Sequence, residues 1–330
     1  MALNIKNAVL HILRNDGRPS IFSETELDID SETCETFITK HVKRLIDNPA
    51  ARTACFKADA EIYRLLQEYQ SGNAYFKTTA ETIARKLDEI MSSRSTLPPC
   101  DLLIARVGNK SGEHIAILKL YCQEVYAHAL KEEGADNQII KKMILPFTSG
   151  KVEYAALITL NGDSMPISLL EKPAVIDGEA LMYFSEMFLD CEASPSKKEQ
   201  AQVIDEINDE FVEEYYGRDP AVTARIKTAL IDEAETEEGF ISMDNVASRA
   251  FSENEDLRTQ YVEVMKDAGI QGELPLGERF TRQHFGTLRI KAENGVEVKF
   301  PAELAADSDV MEITRHSDGT VSVLLKNLVT

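Results

Sequence analysis

Two hairpin patterns near the end of the chain constrain its fold more than any other part of the sequence. The segment TLRIKAENGVEVKF (287–300) alternates apolar and polar residues, as strands with one buried face do. Its centre is Asn294-Gly295, a dipeptide that favours the tight turn between antiparallel strands. The segment EITRHSDGTVSVLLKNL (312–328) repeats this scheme around Asp318-Gly319. With FPAEL (300–304) as the connection, the two hairpins predict a small antiparallel β-meander.

A second turn is predicted at GNKSGEH (108–114), which superficially resembles a phosphate-binding loop. That loop requires a glycine directly before the lysine, and here Asn109 precedes Lys110. The flanking segments, DLLIARV (101–107) and HIAILKLYC (114–122), are rich in aliphatic and β-branched residues and are typical of strands. We therefore interpret the segment as the loop of a hairpin and not as a nucleotide site.

The first part of the chain combines strand-like and helix-like patterns. NIKNAVLHIL (4–13) predicts a first strand, and Phe37, Ile38, Val42 and Leu45 have the spacing of an amphipathic helix. The remaining predictions here are helices over 58–72, 73–93 and 180–191, an acidic turn at 132–136, and strands over 139–147 and 153–161.

A change of composition near ASPSKK (193–198) suggests a linker, because Pro and Ser stand between two periodic segments. Beyond it the sequence predicts four acidic helices, and Asp219 followed by Pro220 is a typical helix start. The helices are expected over 199–217, 219–239, 241–251 and 254–269.

The fold class predicted from these patterns is α+β. We expect an N-terminal mixed α/β domain over residues 1–193. A C-terminal domain over 194–330 would contain the acidic helices (199–269) and then the β hairpins (279–328).

Composition limits the possible functions. The 330-residue chain has a net charge of −20, which taken alone argues against a nucleic-acid binder because phosphate contacts come from Lys and Arg. It has no run of eighteen apolar residues and no basic leader, so we expect neither a membrane span nor a secretory signal. The five cysteines are widely spaced and form no C-x-x-C pair, which fits a reducing cytoplasm.

Motifs for catalysis or metal binding are absent from the sequence. The six histidines show no H-x-x-x-H or H-E-x-x-H spacing, and neither G-x-S-x-G nor G-x-G-x-x-G occurs. We therefore predict no metal, no cofactor and no catalytic residue. An enzyme whose site is assembled from residues distant in sequence stays open as a weaker alternative.

Basic residues cluster in two places. Between Arg279 and Lys291 the chain contains four Lys or Arg residues, His284 and no acid. Between residues 40 and 64 there are six Lys or Arg residues against three acids. The candidate phosphate contacts are Arg279, Arg282, Arg289 and Lys291, and as second choice Lys40, Lys43 and Arg44.

Two interpretations of the 279–291 cluster are possible. Phe280 and Phe285 alternate with its charges, and arginine and aromatic side chains on a sheet surface can hold phosphates and stack on unpaired bases. Alternatively, the cations cover a solvent-facing surface while the phenylalanines belong to the core.

The block from GERFTRQHFGTLRIKAENG to DGTVSVLLKNL (277–328) resembles the C-terminal part of bacterial nucleoid-associated proteins of the NdpA (YejK) type. NAVLHIL (7–13) is similar to the start of that family, and the helical stretch 56–91 is similar to its Phe-rich helical region. The resemblance implies a cytoplasmic, nucleoid-located protein that associates with DNA and turns over no substrate. The family supplies no catalytic motif to transfer to this chain.

We therefore expect a nucleoid-associated DNA-binding protein without catalytic activity. A charge of −20 should repel duplex DNA outside the basic patches, so binding would be local and weak, would use single strands, or would pass through a protein partner. The alternative is a protein–protein adaptor whose acidic helices (199–238) dock a basic, DNA-handling partner. A homo-oligomer is compatible with either function.

Overall fold

The computed structural model describes residues 3–131, 134–291, 295–307, 309–316 and 320–327. The chain divides into two compact units, Met1–Ser196 and Lys197–Thr330. Both units mix helices with antiparallel strands, which confirms the α+β class in its coarse form.

Among its described residues, the first unit contains three α-helices, a short π-helix and eleven strands. The helices are α1 (Glu32–Ile46), α2 (Glu61–Gln70), α3 (Phe76–Ser92) and the π-helix (Phe184–Leu189). The strands are β1 (Asn4–Leu13), β2 (Arg52–Phe56), β3 (Cys100–Asn109), β4 (Gly112–Leu120), β5 (Gln123–Lys131), β6 (Gly134–Ile144), β7 (Tyr154–Thr159), β8 (Ile167–Leu170), β9 (Ala174–Ile176), β10 (Glu179–Leu181) and β11 (Cys191–Ala193).

A seven-stranded antiparallel sheet forms the centre of this unit, with the order β1-β3-β4-β7-β8-β2-β11. Apolar residues cover both of its faces, so the central strand β4 is buried from His114 to Leu120. The helices α2, α3 and the π-helix contribute to the core on one face, and α1 contributes Ile38, Val42 and Leu45 to the core on the other. The sheet therefore lies between two helical layers.

The predicted hairpin at GNKSGEH is confirmed. β3 and β4 pair from Asp101 opposite Leu120 to Asn109 opposite Gly112, which leaves Lys110 and Ser111 as the turn. Gly112 has φ +126°, a backbone conformation that side chains rarely allow.

Strands β5 and β6 form a separate two-stranded ribbon, which we call the β5–β6 arm (residues 123–144). The sequence analysis predicted part of β6 but missed β5, because polar and apolar residues are mixed on both of its faces. The predicted acidic turn at 132–136 coincides with the boundary between the two strands, and residues 132 and 133 lie outside the described residues. The helix predicted over 180–191 is only in part a helix: the π-helix is flanked by β10 and β11.

The second unit contains six helices and six short strands among its described residues. The helices are α4 (Lys197–Tyr216), α5 (Pro220–Thr236), α6 (Met243–Ala250), α7 (Glu255–Asp267), α8 (Glu278–Phe285) and α9 (Ala302–Ala306). The strands are β12 (Ile241–Ser242), β13 (Glu273–Leu274), β14 (Thr287–Lys291), β15 (Glu297–Pro301), β16 (Met311–Arg315) and β17 (Val321–Leu325).

The core of the second unit is mainly helical. Residues of α4 to α8 supply most of it, including the fully buried Tyr261 and Phe285. The predicted start of α5 is confirmed, since the Asp219 carboxylate accepts a hydrogen bond of 2.9 Å from the Ala221 amide.

The predicted C-terminal β-meander is wrong. The hairpins β14–β15 and β16–β17 exist, but each is a sheet of its own in the described part of the chain. Helix α9 begins within the connection predicted at 300–304, because Ala302 is buried and Ala305 packs in a small cluster with Leu288 and Met311. A helical turn at this point separates β15 from β16. Asn294, Asp318 and Gly319, which the sequence indicated as turn residues, lie outside the described residues.

Candidate nucleic-acid interface

Arg279 and Arg282 lie on helix α8, which corrects the prediction that residues from 279 onward form a β hairpin and a basic sheet surface. The helix forms because Thr281 and Phe285, four residues apart, are both buried against the core of the second unit. Both arginines lie on its exposed side.

The phenylalanines of this segment are core residues, in agreement with the second interpretation of the cluster. Phe285 is completely buried, and Phe280 is partly buried against the same core. Phe280 also stacks on His284, with ring centroids 5.5 Å apart. His284 in turn lies 2.7 Å from the Asp205 carboxylate of α4. These rings stabilise the position of α8 and are not presented for stacking on bases.

Arg282 is held by two carboxylates. Its guanidinium contacts Glu235 of α5, with Nε 2.9 Å from Oε1, and Glu303 of α9, with Nη1 2.8 Å from Oε1. The hydrogen bond to Glu235 and the charge of Glu303 raise the pKa of Arg282. All three side chains are about half exposed, so solvent screens the ion pairs. The contact could not be predicted from the sequence, because Glu235 and Arg282 are 47 residues apart in the chain.

Arg289 and Lys291 lie on β14, on the exposed face of the β14–β15 hairpin. Lys299 stands directly opposite Arg289, and Glu297 stands opposite Lys291. The Glu297 Oε1 atom lies 2.8 Å from Arg289 Nε and 3.8 Å from Lys299 Nζ. The face therefore has three cations and one anion. Sequence reasoning missed Lys299; its signal was the alternation of residues 287–300, in which Lys299 stands between the apolar Val298 and Phe300 and so belongs to the polar face.

A groove of about 470 Å³ adjoins β14 and the start of α5. Its charged lining includes Arg289, Lys291 and Arg218, but also Asp209 and Glu213. Arg218 is bound to Glu213, with Nη2 2.6 Å from Oε1. Mixed charges of this kind do not form a strong anion site by themselves.

Lys40, Lys43 and Arg44, the second-choice residues, lie together on the exposed side of α1 in the first unit. Arg44 donates a hydrogen bond of 2.6 Å to the carbonyl oxygen of Gly150. It borders a groove of about 280 Å³ that Lys151 also lines. These residues lie in the first unit, whereas the basic residues of α8 and β14 lie in the second.

An acidic face on α4 adjoins the basic residues of the second unit. Five carboxylates on this helix are exposed: Glu206, Asp209, Glu210, Glu213 and Glu214. Their helical spacing puts them on the side opposite the buried Ile207 and Phe211. This face would repel nucleic acid and attract a basic protein.

Other classes of site find little support in the described part of the chain. No group of three or more His, Cys, Asp or Glu residues there is placed to hold a metal ion. Its helices are each too short or too polar to cross a bilayer.

Comparison with known proteins defines the family. A search among curated proteins found no match. The family model described as "Nucleoid-associated protein YejK", a description that names no enzymatic activity, matches residues 9–330. The chain therefore belongs to the nucleoid-associated protein YejK family.

Proposed function

We propose that this protein associates with the nucleoid by direct contact with DNA through the α8–β14 patch, defined as Arg279, Arg282, Arg289, Lys291 and Lys299. One observation carries the proposal: Arg279 and Lys291 are exposed and have no carboxylate partner among the residues that the structure describes. Exposed cations of this kind can contact phosphates without first breaking an ion pair.

The proposal implies weak binding without sequence specificity. Arg282 and Arg289 contact phosphates only if they leave Glu235, Glu303 and Glu297. If only the two unpaired cations contact phosphates, log K against log salt should have a slope of about −2, and contact by all five cations should give about −4 to −5. The slope thus measures how many of the internal ion pairs DNA replaces.

The test is a salt titration of labelled single- and double-stranded DNA with the wild type and with Arg279→Glu/Lys291→Glu. We avoid Arg282 here, because its replacement by Glu would bring three carboxylates together and destabilise α8. The matched control is Lys40→Glu/Lys43→Glu, which makes the same charge change on the second-choice patch of α1.

We expect salt-sensitive binding that the Arg279→Glu/Lys291→Glu variant loses and that the control retains. Loss of DNA binding in the control variant alone would indicate that the DNA site lies on α1. Absence of binding at low salt by the folded wild type would overturn direct DNA contact altogether.

The acidic face of α4 supports a second candidate function, an adaptor that docks a basic partner which itself handles DNA. The five exposed carboxylates favour association with such a partner by electrostatic steering. The discriminating experiment is charge reversal of Glu206, Glu210 and Glu213 in a pull-down against nucleoid proteins. An adaptor loses its partner in this variant and keeps it in Arg279→Glu/Lys291→Glu. We assign the chain no catalytic step in either function.

A further inference from the structure

The β5–β6 arm leaves the central sheet of the first unit between the neighbouring strands β4 and β7. Its two strands pair with each other from Gln123 opposite Ile144 to Lys131 opposite Gly134. Among the described residues neither strand pairs with a third one. A two-stranded ribbon by itself is marginally stable in water. The arm therefore needs a surface that covers it.

One face of the arm exposes three large apolar side chains. Tyr126, Ile139 and Met143 are 75%, 80% and 64% exposed. Tyr126 stands opposite Lys141, and Met143 stands opposite Glu124, so all five side chains share this face. Contiguous exposed apolar surface on a folded protein marks an interaction site.

The charges on this face compensate each other. The Lys141 ammonium lies 2.7 Å from the Glu124 carboxylate and 5.7 Å from the centre of the Tyr126 ring. A protein surface can cover the face without leaving a single charge unpaired. DNA would require an excess of cations, which this face lacks. The chemistry of the face therefore fits a protein.

The opposite face of the arm is also apolar. Val125 and Ala127 on β5 and Ile140 and Ile144 on β6 point to this side, and each is only half-buried. Lys142, opposite Val125, is its one exposed charge among the described residues on this face. On both faces of the ribbon, apolar side chains are therefore exposed to solvent or only partly buried.

The size of the arm decides between two ways of covering it. At about 3.4 Å per residue and 4.8 Å between strands, each face of the ribbon measures roughly 370 Å². Covering one face is too little, since a stable interface removes about 800 Å² from each partner. Covering both faces removes roughly 700 Å². Enclosure on both sides therefore brings a single arm close to the area of a stable interface, which stacking one face on a flat surface does not.

We propose that the β5–β6 arm inserts into a second copy of this chain, so that two chains exchange arms in a symmetric dimer. The arm needs its cover whenever the chain is folded, and another copy is the partner that is always present at equal concentration. Reciprocal exchange doubles the buried area and brings it into the range of permanent homodimers, above about 2,000 Å² in total. Two-fold dimers are also the most common homo-oligomers.

The experiment measures the mass of the full chain by light scattering after gel filtration and its self-association by sedimentation. The variant is Tyr126→Thr/Ile139→Thr/Met143→Thr, in which threonine retains strand propensity while the apolar surface is removed. The matched control is Tyr75→Thr/Val175→Thr, which truncates two exposed apolar side chains elsewhere in the same unit.

The wild type and the control should have twice the 36.9 kDa mass of one chain at micromolar concentration. The triple variant should have the mass of one chain, with a dimer dissociation constant raised at least tenfold, as expected when anchoring side chains are truncated. Far-UV circular dichroism shows whether it is folded. The single variant Ile139→Lys gives a second test if the triple variant does not fold, and it too should be monomeric.

Three results would overturn the proposal. These are a wild type that stays monomeric across the micromolar range, a folded variant with an unchanged dissociation constant, and a variant that loses DNA binding while its mass stays that of the wild type. The last result would identify the arm as a nucleic-acid contact. The proposal is independent of the DNA patch on α8 and β14, because the two tests use different variants and this one is decided by the mass of the particle.

Discussion

The Nζ atom of Lys119 donates a hydrogen bond of 2.9 Å to the Tyr183 hydroxyl, and both side chains are buried in the core of the first unit. The rings of Tyr121 and Tyr154 also lie within 5.4 Å of the ammonium. No carboxylate pairs with Lys119 in the described part of the chain. Burial lowers the pKa of Lys119, because an ammonium without a counter-ion is costly in an apolar surrounding.

We expect the Lys119→Met/Tyr183→Phe variant to be more stable than Lys119→Met by about 1 kcal/mol. The single variant removes the ammonium that donates to the buried Tyr183 hydroxyl and leaves the Tyr121 hydroxyl as its remaining partner, whereas the double variant removes both polar groups. Urea unfolding followed by far-UV circular dichroism measures the difference, since the chain has no tryptophan. Equal stability of the two variants would show that Tyr121 alone satisfies the Tyr183 hydroxyl.

The same lysine predicts a pH dependence. Its folded pKa is below the unfolded value of about 10.4, so between these two values the unfolded chain binds more protons than the folded one. The free energy of unfolding of the wild type should therefore rise relative to Lys119→Met as the pH increases through this window. A constant difference from pH 7 to pH 10.5 would contradict the lowered pKa.

In the second unit, Arg249→Met should reduce the free energy of unfolding by about 2–4 kcal/mol, because it leaves a buried carboxylate without its cation. Glu233 is fully buried; its Oε2 lies 3.1 Å from Arg249 Nη2, and its Oε1 accepts a hydrogen bond of 2.7 Å from Asn245. The variant Glu233→Gln/Arg249→Met should recover part of the loss. Arg279→Met, at an exposed arginine, is the control and should change stability by less than about 0.5 kcal/mol.

Acid should destabilise the first unit through His41. This histidine is buried beside Phe37, both of its ring nitrogens lack a hydrogen-bond partner among the described residues, and burial lowers its pKa. As the pH falls through the unfolded value of about 6.5, the unfolded chain takes up a proton that the folded chain does not bind, and stability falls. Unfolding at pH 7.5 and pH 5.5 should show a smaller loss for His41→Leu than for the wild type. The exposed His316 of the second unit serves as control, and His316→Gln should retain the full loss.

Gly239→Ala should destabilise the second unit more than Gly272→Ala. Both glycines have positive φ, +95° and +69°, which costs alanine about 1–2 kcal/mol. Only at Gly239 would the new Cβ also lie 2.9 Å from a backbone atom, the Cα of Gly277, just before α8. Thermal unfolding of the two variants measures the difference. Equal shifts would mean that the backbone around Gly277 moves aside.

The predictions that succeeded from sequence rest on local patterns. Phe37, Ile38, Val42 and Leu45 have helical spacing, and α1 buries all four at least in part. The Asp219 start of α5 and the turn at Lys110 follow equally from neighbours in the chain. In each case residues within a few positions of one another decide the local conformation.

The failures involve short elements. Helix α8 has only eight residues, and only two of them, Thr281 and Phe285, are buried. The other residues are mostly charged or polar, so the sequence shows no clear apolar helical spacing. The short helix α9 begins in the predicted strand connection because Ala302 is buried and Ala305 packs in a cluster with Met311. In segments this short, tertiary contacts outweigh local preference.

The sequence by itself determined the longer helices, the turns set by neighbouring residues, the acidic charge and the family, because these depend on residue types and their spacing. Only the tertiary structure decided which cations remain without partners. Arg282 meets Glu235 and Glu303 through the packing of α8 on α5 and α9, while Arg279, three residues earlier, contacts no carboxylate among the described residues. The physical reason is that an ion pair depends on distance in space, and the folded chain brings together charges that lie far apart in sequence.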